Sequence, residues 1–174
     1  NFVPTNSPLA AVQNTSLLLS GTSAGIYDSS MMVDLETFGD AKISTSTKKY
    51  GNASMYFDGS GDYLSSPSPG TAYQFGTGNW TIECWFYSTN TSTTQTIYQI
   101  YGTTIDNINI QYNGTTLAPF VDFRATNQTA VTATSTVLAN LNQWNHLVVT
   151  RDSSTTLKIY VNGRLGVTQA IAST

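Results

Sequence analysis

Gln143-Trp144-Asn145-His146-Leu147-Val148-Val149-Thr150-Arg151-Asp152, followed after a short polar break by Leu157-Lys158-Ile159-Tyr160-Val161-Asn162-Gly163, is the stretch that decides the fold. His146 to Arg151 and Leu157 to Val161 are rich in β-branched residues, which lose side-chain freedom in helices and pack well on a pleated surface. Asp152-Ser153-Ser154-Thr155 between them has the length and chemistry of a hairpin turn. Asn162-Gly163, between Val161 and Leu165, is a second hairpin signal, because Asn and Gly tolerate the positive φ that a tight two-residue turn demands.

Working outward, Trp80-Thr81-Ile82-Glu83-Cys84-Trp85-Phe86-Tyr87 reads as a strand with Ile82, Cys84 and Phe86 on one face. Weaker strands are expected at 53–57, 62–65, 96–101, 107–112, 119–124 and 130–137. No window combines helical periodicity with a cap and a stop. Many short strands at close spacing predict an all-β fold, an antiparallel two-sheet sandwich of the jelly-roll type. Residues 1–15, with two prolines and small polar side chains, read as an N-terminal arm or linker, and 16–174 as one domain.

The 174 residues include 47 Ser and Thr and 14 Asn, whereas charged residues make up 10%, against about 25% in typical domains. With 40% apolar and 11% aromatic residues the chain can build a core. A net charge of −3 and seven basic residues argue against nucleic acid as a partner. No apolar run approaches the length that spans a bilayer, which argues against membrane insertion. The chain opens Asn1-Phe2-Val3-Pro4 and reads as a piece of something longer. Cys84 stands alone, so no internal disulfide is available. The polar, weakly charged composition suits a virion-surface or extracellular β protein. Six Asn-x-Ser/Thr sequons, at Asn14, Asn52, Asn79, Asn90, Asn113 and Asn127, are slightly more than the composition yields by chance.

Three blocks carry a family resemblance. The first is Lys49-Tyr50-Gly51-Asn52-Ala53-Ser54-Met55-Tyr56-Phe57-Asp58-Gly59 with Gly61-Asp62-Tyr63-Leu64. The second is Phe75-Gly76-Thr77-Gly78-Asn79-Trp80-Thr81-Ile82-Glu83-Cys84-Trp85-Phe86. The third is the stretch quoted at the outset. In order and spacing they resemble the laminin G-like type 3 jelly rolls of the concanavalin A-like superfamily, of the kind found in bacteriophage virion proteins. The resemblance implies a non-enzymatic adhesion or binding domain of a phage virion surface protein, a tail fibre or capsid decoration, that recognises host glycan. Its alternative is a structural decoration or assembly module that binds other virion proteins without sugar recognition. Either way the chain would be part of a larger assembly. The closing strand usual in the family is missing after Ala170, so one sheet edge is expected to be covered by a neighbour or by further sequence.

The resemblance also suggests sites. For a neutral sugar, aromatic platforms and amide or hydroxyl partners are needed, and the candidates are Tyr98, Tyr101, Asn109, Gln111, Asp122 and Arg124. Asn107, Asn109 and Gln111 alternate with Ile108 and Ile110, which puts three amides on one sheet face; an ordinary solvated face would look the same. Six of the ten acids fall between Asp28 and Asp62. Asp28-Ser29-Ser30 resembles a family segment near which some relatives hold a cation, so Asp28 and Asp62 are the expected ligands of a structural Ca²⁺; solvated turn acids are the competing reading. Trp85 is read as packing, and His146, the single histidine, as a hydrogen-bonded core-edge residue. Catalysis is not expected. Glu36 and Glu83 are the only glutamates, the carboxylate spacing of a glycosidase is absent, and there is no Gly-x-Ser-x-Gly elbow.

Overall fold

The computed structural model describes residues 1–22, 25–30, 34–66, 73, 75, 78–101, 107–124, 128–152 and 155–171, and among them every regular element is a strand. Asn127 of the sequons, Gly76-Thr77 of the second block and Ser153-Ser154 of the hairpin turn lie outside the described residues. The chain divides into two compact units, Thr5–Tyr73 and a second one formed by Asn1–Pro4 with Gln74–Thr174.

The first unit holds three short antiparallel ladders. β1 (Leu19–Thr22) pairs with β2 (Gly25–Asp28), β3 (Glu36–Phe38) with β6 (Tyr63–Ser65), and β4 (Lys42–Ser44) with β5 (Ser54–Tyr56). Gly39, Gly51, Gly59 and Gly61 in its loops have positive φ. At Gly39 (φ 73°) an added Cβ would run into the Asp62 carboxylate, so only glycine fits there.

The second unit is a sandwich of two four-stranded antiparallel sheets. Sheet I is built from β8 (Thr94–Ile100), β9 (Asn107–Asn113), β10 (Pro119–Arg124) and β11 (Val131–Thr134), in the order β11-β10-β9-β8. Sheet II is built from β7 (Trp80–Tyr87), β12 (Trp144–Asp152), β13 (Thr156–Val161) and β14 (Arg164–Ala170), in the order β14-β13-β12-β7. The strands quoted at the outset form the middle of sheet II, with Leu147 opposite Val161 and Val149 opposite Ile159. Asn162 (φ 51°) and Gly163 (φ 78°) make the turn into β14, the double positive φ of a type I′ hairpin. Lys158 closes the β12–β13 hairpin by hydrogen bonding to Asp152, which raises the lysine pKa.

The core lies between the sheets. Ile108, Ile110, Val121 and Phe123 of sheet I meet Leu147, Val149, Leu157, Ile159 and Val161 of sheet II, with Ile82, Cys84 and Phe86 packed against them. Burying each such aliphatic side chain contributes about 1.5–3 kcal/mol before conformational entropy is set against it. Arg151 is the unexpected member. Its register partner is Trp80, and it is 2% exposed with its guanidinium over the Phe123 ring at 5.9 Å, a cation–π contact in a site closed to water.

The N-terminal arm is partly structural. The Phe2 N–H donates to the Gly163 carbonyl at 2.8 Å, and the Leu165 N–H donates to Asn1 Oδ1 at 3.0 Å. Asn1–Pro4 therefore belongs with the sandwich. Ile171 is buried just beyond β14, its N–H donating to the Thr155 carbonyl. Among the described residues β7 is an edge strand of sheet II.

Candidate functional site

Sheet I alternates strictly on β9. Ile108, Ile110 and Tyr112 point into the core, so Asn107, Asn109 and Gln111 share the outer face. Register extends that face across the sheet. Asn109 lies opposite Asp122 on one side and Gln99 on the other, and Asp122 lies opposite Thr132. The next row runs Thr134, Phe120, Gln111 and Thr96, and Arg124 lies opposite Asn107. Thr132 donates its hydroxyl to Asp122 Oδ1 at 2.6 Å, and Gln111 Nε2 donates to Thr96 at 3.4 Å. Asn109 Oδ1 is shut off from solvent and has no hydrogen-bond partner.

Four of the six nominated sugar-binding residues, Asn109, Gln111, Asp122 and Arg124, are thus brought together. The two tyrosines are not. Tyr98 is the register partner of Ile110 and packs against the core cluster, so it occupies the inner face. The cause is a register shift between Thr96 and Tyr98, which changes the phase of β8. Tyr101 follows the end of β8 and is 78% exposed. Gln99, Thr96 and Thr132 were missed. β8 and β11 are weakly patterned strands, and the bulge hides which β8 residues face outward.

The outer face of sheet II is aromatic. Trp85 lies opposite His146 with ring centroids 4.8 Å apart, and Tyr87 lies opposite Trp144 at 5.7 Å. The Phe2 ring meets the edges of His146 (5.8 Å) and Tyr160 (5.5 Å). His146 is 1% exposed. Its Nε2 is 3.3 Å from Glu83 Oε2, and Nδ1 has no hydrogen-bond partner. The expectation of a fully hydrogen-bonded histidine is therefore corrected: rings cover most of it, and a carboxylate faces one nitrogen.

The acids assemble differently from expectation. Asp40, Asp58 and Asp62 each place a carboxylate oxygen within 4.8 Å of the others, and Asp28 is not part of that group. Asp62 accepts the Asp40 N–H at 2.7 Å and the Asp58 N–H at 2.8 Å. These amides, the Asp58 one foremost, hold its pKa below 3.8. The Asp28 carboxylate is engaged by the Leu18 and Ser30 N–H groups and the Ser30 hydroxyl, and it serves its own turn. Calcium takes six to eight oxygens. Asp40, Asp58 and Asp62 are the residues that would hold it, with backbone carbonyls or water completing the shell. The two glutamates fall in different units, Glu36 on β3 and Glu83 on β7.

Two face-to-face antiparallel sheets with this strand order define a jelly-roll sandwich. The chain belongs to the laminin G type 3 family of the concanavalin A-like lectin/glucanases superfamily, whose model matches residues 58–174. No curated protein sequence matches the chain. Among solved structures it is similar to the receptor-binding domain of botulinum neurotoxin C/D mosaic serotype, at 15% identity and a TM-score of 0.65, covering 87% of this chain and 38% of that one. It is also similar to the botulinum neurotoxin serotype D ligand-binding domain in complex with N-acetylneuraminic acid, at 16% identity and a TM-score of 0.60, covering 90% and 39%. A third is the botulinum neurotoxin DC binding domain in complex with rat synaptotagmin II, at 12% identity and a TM-score of 0.62, covering 90% and 40%. The chain spans about two fifths of the length of these neighbours.

Proposed function

We propose that this chain is a non-enzymatic carbohydrate-binding domain that recognises host glycan through the outer face of sheet I. The observation that carries the reading is the polar row Gln99–Asn109–Asp122–Thr132, which runs across all four strands. Amides, a carboxylate and a hydroxyl give the row the mixed donor–acceptor character that pairs with sugar hydroxyls. Arg124 at the exposed end of β10 adds a donor fork. The fold of glycan-binding neurotoxin domains supports the reading by analogy. A phage virion surface, as tail fibre or capsid decoration, is the setting that the composition and the family resemblance favour. Glycan-array binding by the chain, lost in Asn109→Ala and Asp122→Ala, tests it; equal binding by the variants would refute the assignment to this face.

A second reading, a virion assembly module, draws support from the neighbour that binds a protein, synaptotagmin II. It requires a protein interface of about 1,600 Å² in the assembled particle, and a domain projecting freely into solvent there would contradict it. A structural Ca²⁺ at Asp62, with Asp40 and Asp58, belongs to either reading. It requires a chelator to lower the melting temperature of the chain.

A further inference from the structure

The β3–β6 ladder exposes an aromatic pair that packing does not explain. Phe38 and Tyr63 are register partners, and their rings stack at 4.5 Å between centroids and 7° between planes. A stacked pair covers one face of each ring. Phe38 nevertheless remains 37% and Tyr63 51% exposed. Alternation places Glu36 and Ser65, themselves register partners, on the same face of the ladder one step away. Asp62 fixes the arrangement. Its two oxygens take the N–H groups of Asp40 and Asp58, which ties the segment leaving Phe38 to the loop that leads into Tyr63.

We propose that this face is a binding platform for one pyranose ring of a neutral glycan. The apolar C–H face of a pyranose stacks on an exposed aromatic ring. Its hydroxyls donate to the Glu36 carboxylate and exchange hydrogen bonds with the Ser65 hydroxyl. Charge selects the class of sugar. Glu36 shares the face, while Lys42 is engaged by Asp40 at 3.9 Å and by the Tyr56 ring. A carboxylate-bearing sugar is repelled here, and a neutral one is not. The platform lies on a different ladder from the sheet I face and does not rest on that assignment.

The experiment is NMR on the intact chain with methyl glucoside, methyl galactoside and methyl mannoside, and with N-acetylneuraminic acid as the acidic control. The expected result is that at least one neutral glycoside shifts the Phe38 and Tyr63 ring resonances and receives saturation transfer from them. N-acetylneuraminic acid leaves them unmoved. Tyr63→Ala lowers the affinity about tenfold or more. Glu36→Gln, an exposed substitution that leaves the fold intact, weakens it without changing the melting temperature. Ring resonances unmoved by all three neutral glycosides, affinity unchanged in Glu36→Gln and Tyr63→Ala, or preference for the acidic sugar would each overturn the proposal. So would concentration-dependent self-association abolished by Tyr63→Ala, which would assign the rings to a second copy of the chain. Asn109→Ala and Asp122→Ala leave this binding unchanged, so failure here and failure of the sheet I reading are separate results.

Discussion

Asp122 on β10 stands directly opposite Asn109 on β9, and the Asn109 side-chain oxygen beside it is closed to solvent without a hydrogen-bond partner. A buried acceptor left unmet costs about 1–3 kcal/mol. The two residues centre a row that spans all four strands of sheet I. Its outer members Gln99 and Thr132 are exposed, so the row sets amide, carboxylate and hydroxyl groups side by side on the outer face of sheet I.

The turn that closes sheet II depends on one glycine for two reasons. Gly163 has φ 78°, and a Cβ there would collide with the Phe2 carbonyl oxygen. Gly163→Ala is expected to destabilise the chain by about 1–2 kcal/mol for the left-handed conformation alone. It also frees the N-terminal segment from the turn. Denaturant melts measure the first effect, and increased proteolysis at residues 1–4 measures the second.

Asn145 is fully buried and holds two turns together. Its Oδ1 accepts the Asn140 N–H at 2.8 Å and Asn162 Nδ2 at 3.0 Å, while Nδ2 donates to the Asn140 and Gln143 carbonyls at 2.8 and 2.9 Å. Asn145→Ala removes all four bonds and leaves partners stranded, for an expected loss of about 3 kcal/mol or more. Asn145→Asp sets a second oxygen against the Asn140 and Gln143 carbonyls in a buried site, and is expected to cost at least as much in urea denaturation.

Asp62 gives the first unit an acid sensitivity. Folding lowers its pKa below 3.8 through the amides of Asp58 and Asp40. The ionised form therefore stabilises the fold above that value, and the contribution is lost as pH falls through the depressed folded pKa. Melting temperature is expected to fall more steeply in the wild type than in Asp62→Asn as pH drops from about 5 to 2. Parallel curves would show that the carboxylate adds nothing.

Cys84 faces the core, where burial first and Glu83 second push its thiol up to about 12. At about pH 8 it is a neutral, half-buried thiol packed against the core, and it is expected to react with thiol reagents more slowly in the folded chain than in the unfolded one. Labelling with Ellman's reagent across a urea titration should track the circular dichroism transition. Rapid labelling of the native chain would contradict the placement of β7.

The middle of sheet II was legible because Leu147, Val149, Leu157, Ile159 and Val161 alternate with outward residues over two long strands, and because Asn-Gly permits only a narrow set of turns. Sheet I was legible on β9, where Ile108 and Ile110 separate the amides. It failed on β8, where a register shift carries Tyr98 to the core side, and no alternation pattern marks such a shift in advance. Arg151 and Asn145 look like surface residues in the sequence. Burial with cation–π contact in one case, and with four hydrogen bonds in the other, depends on partners far along the chain. Acid spacing likewise showed that Asp62 sits among carboxylates but not which ones. Asp40 and Asp58 join it through hydrogen bonds across the β3 and β6 ends, whereas Asp28 is used by its own turn.

The most direct test of the central claim is titration calorimetry of the chain and of its Asn109→Ala/Asp122→Ala variant against a glycan identified on an array. Saturable binding by the wild type is expected, with a loss of about tenfold or more in affinity in the double variant, which remains folded. Equal affinity of the two proteins for that glycan, or no glycan bound by the wild type, would contradict it.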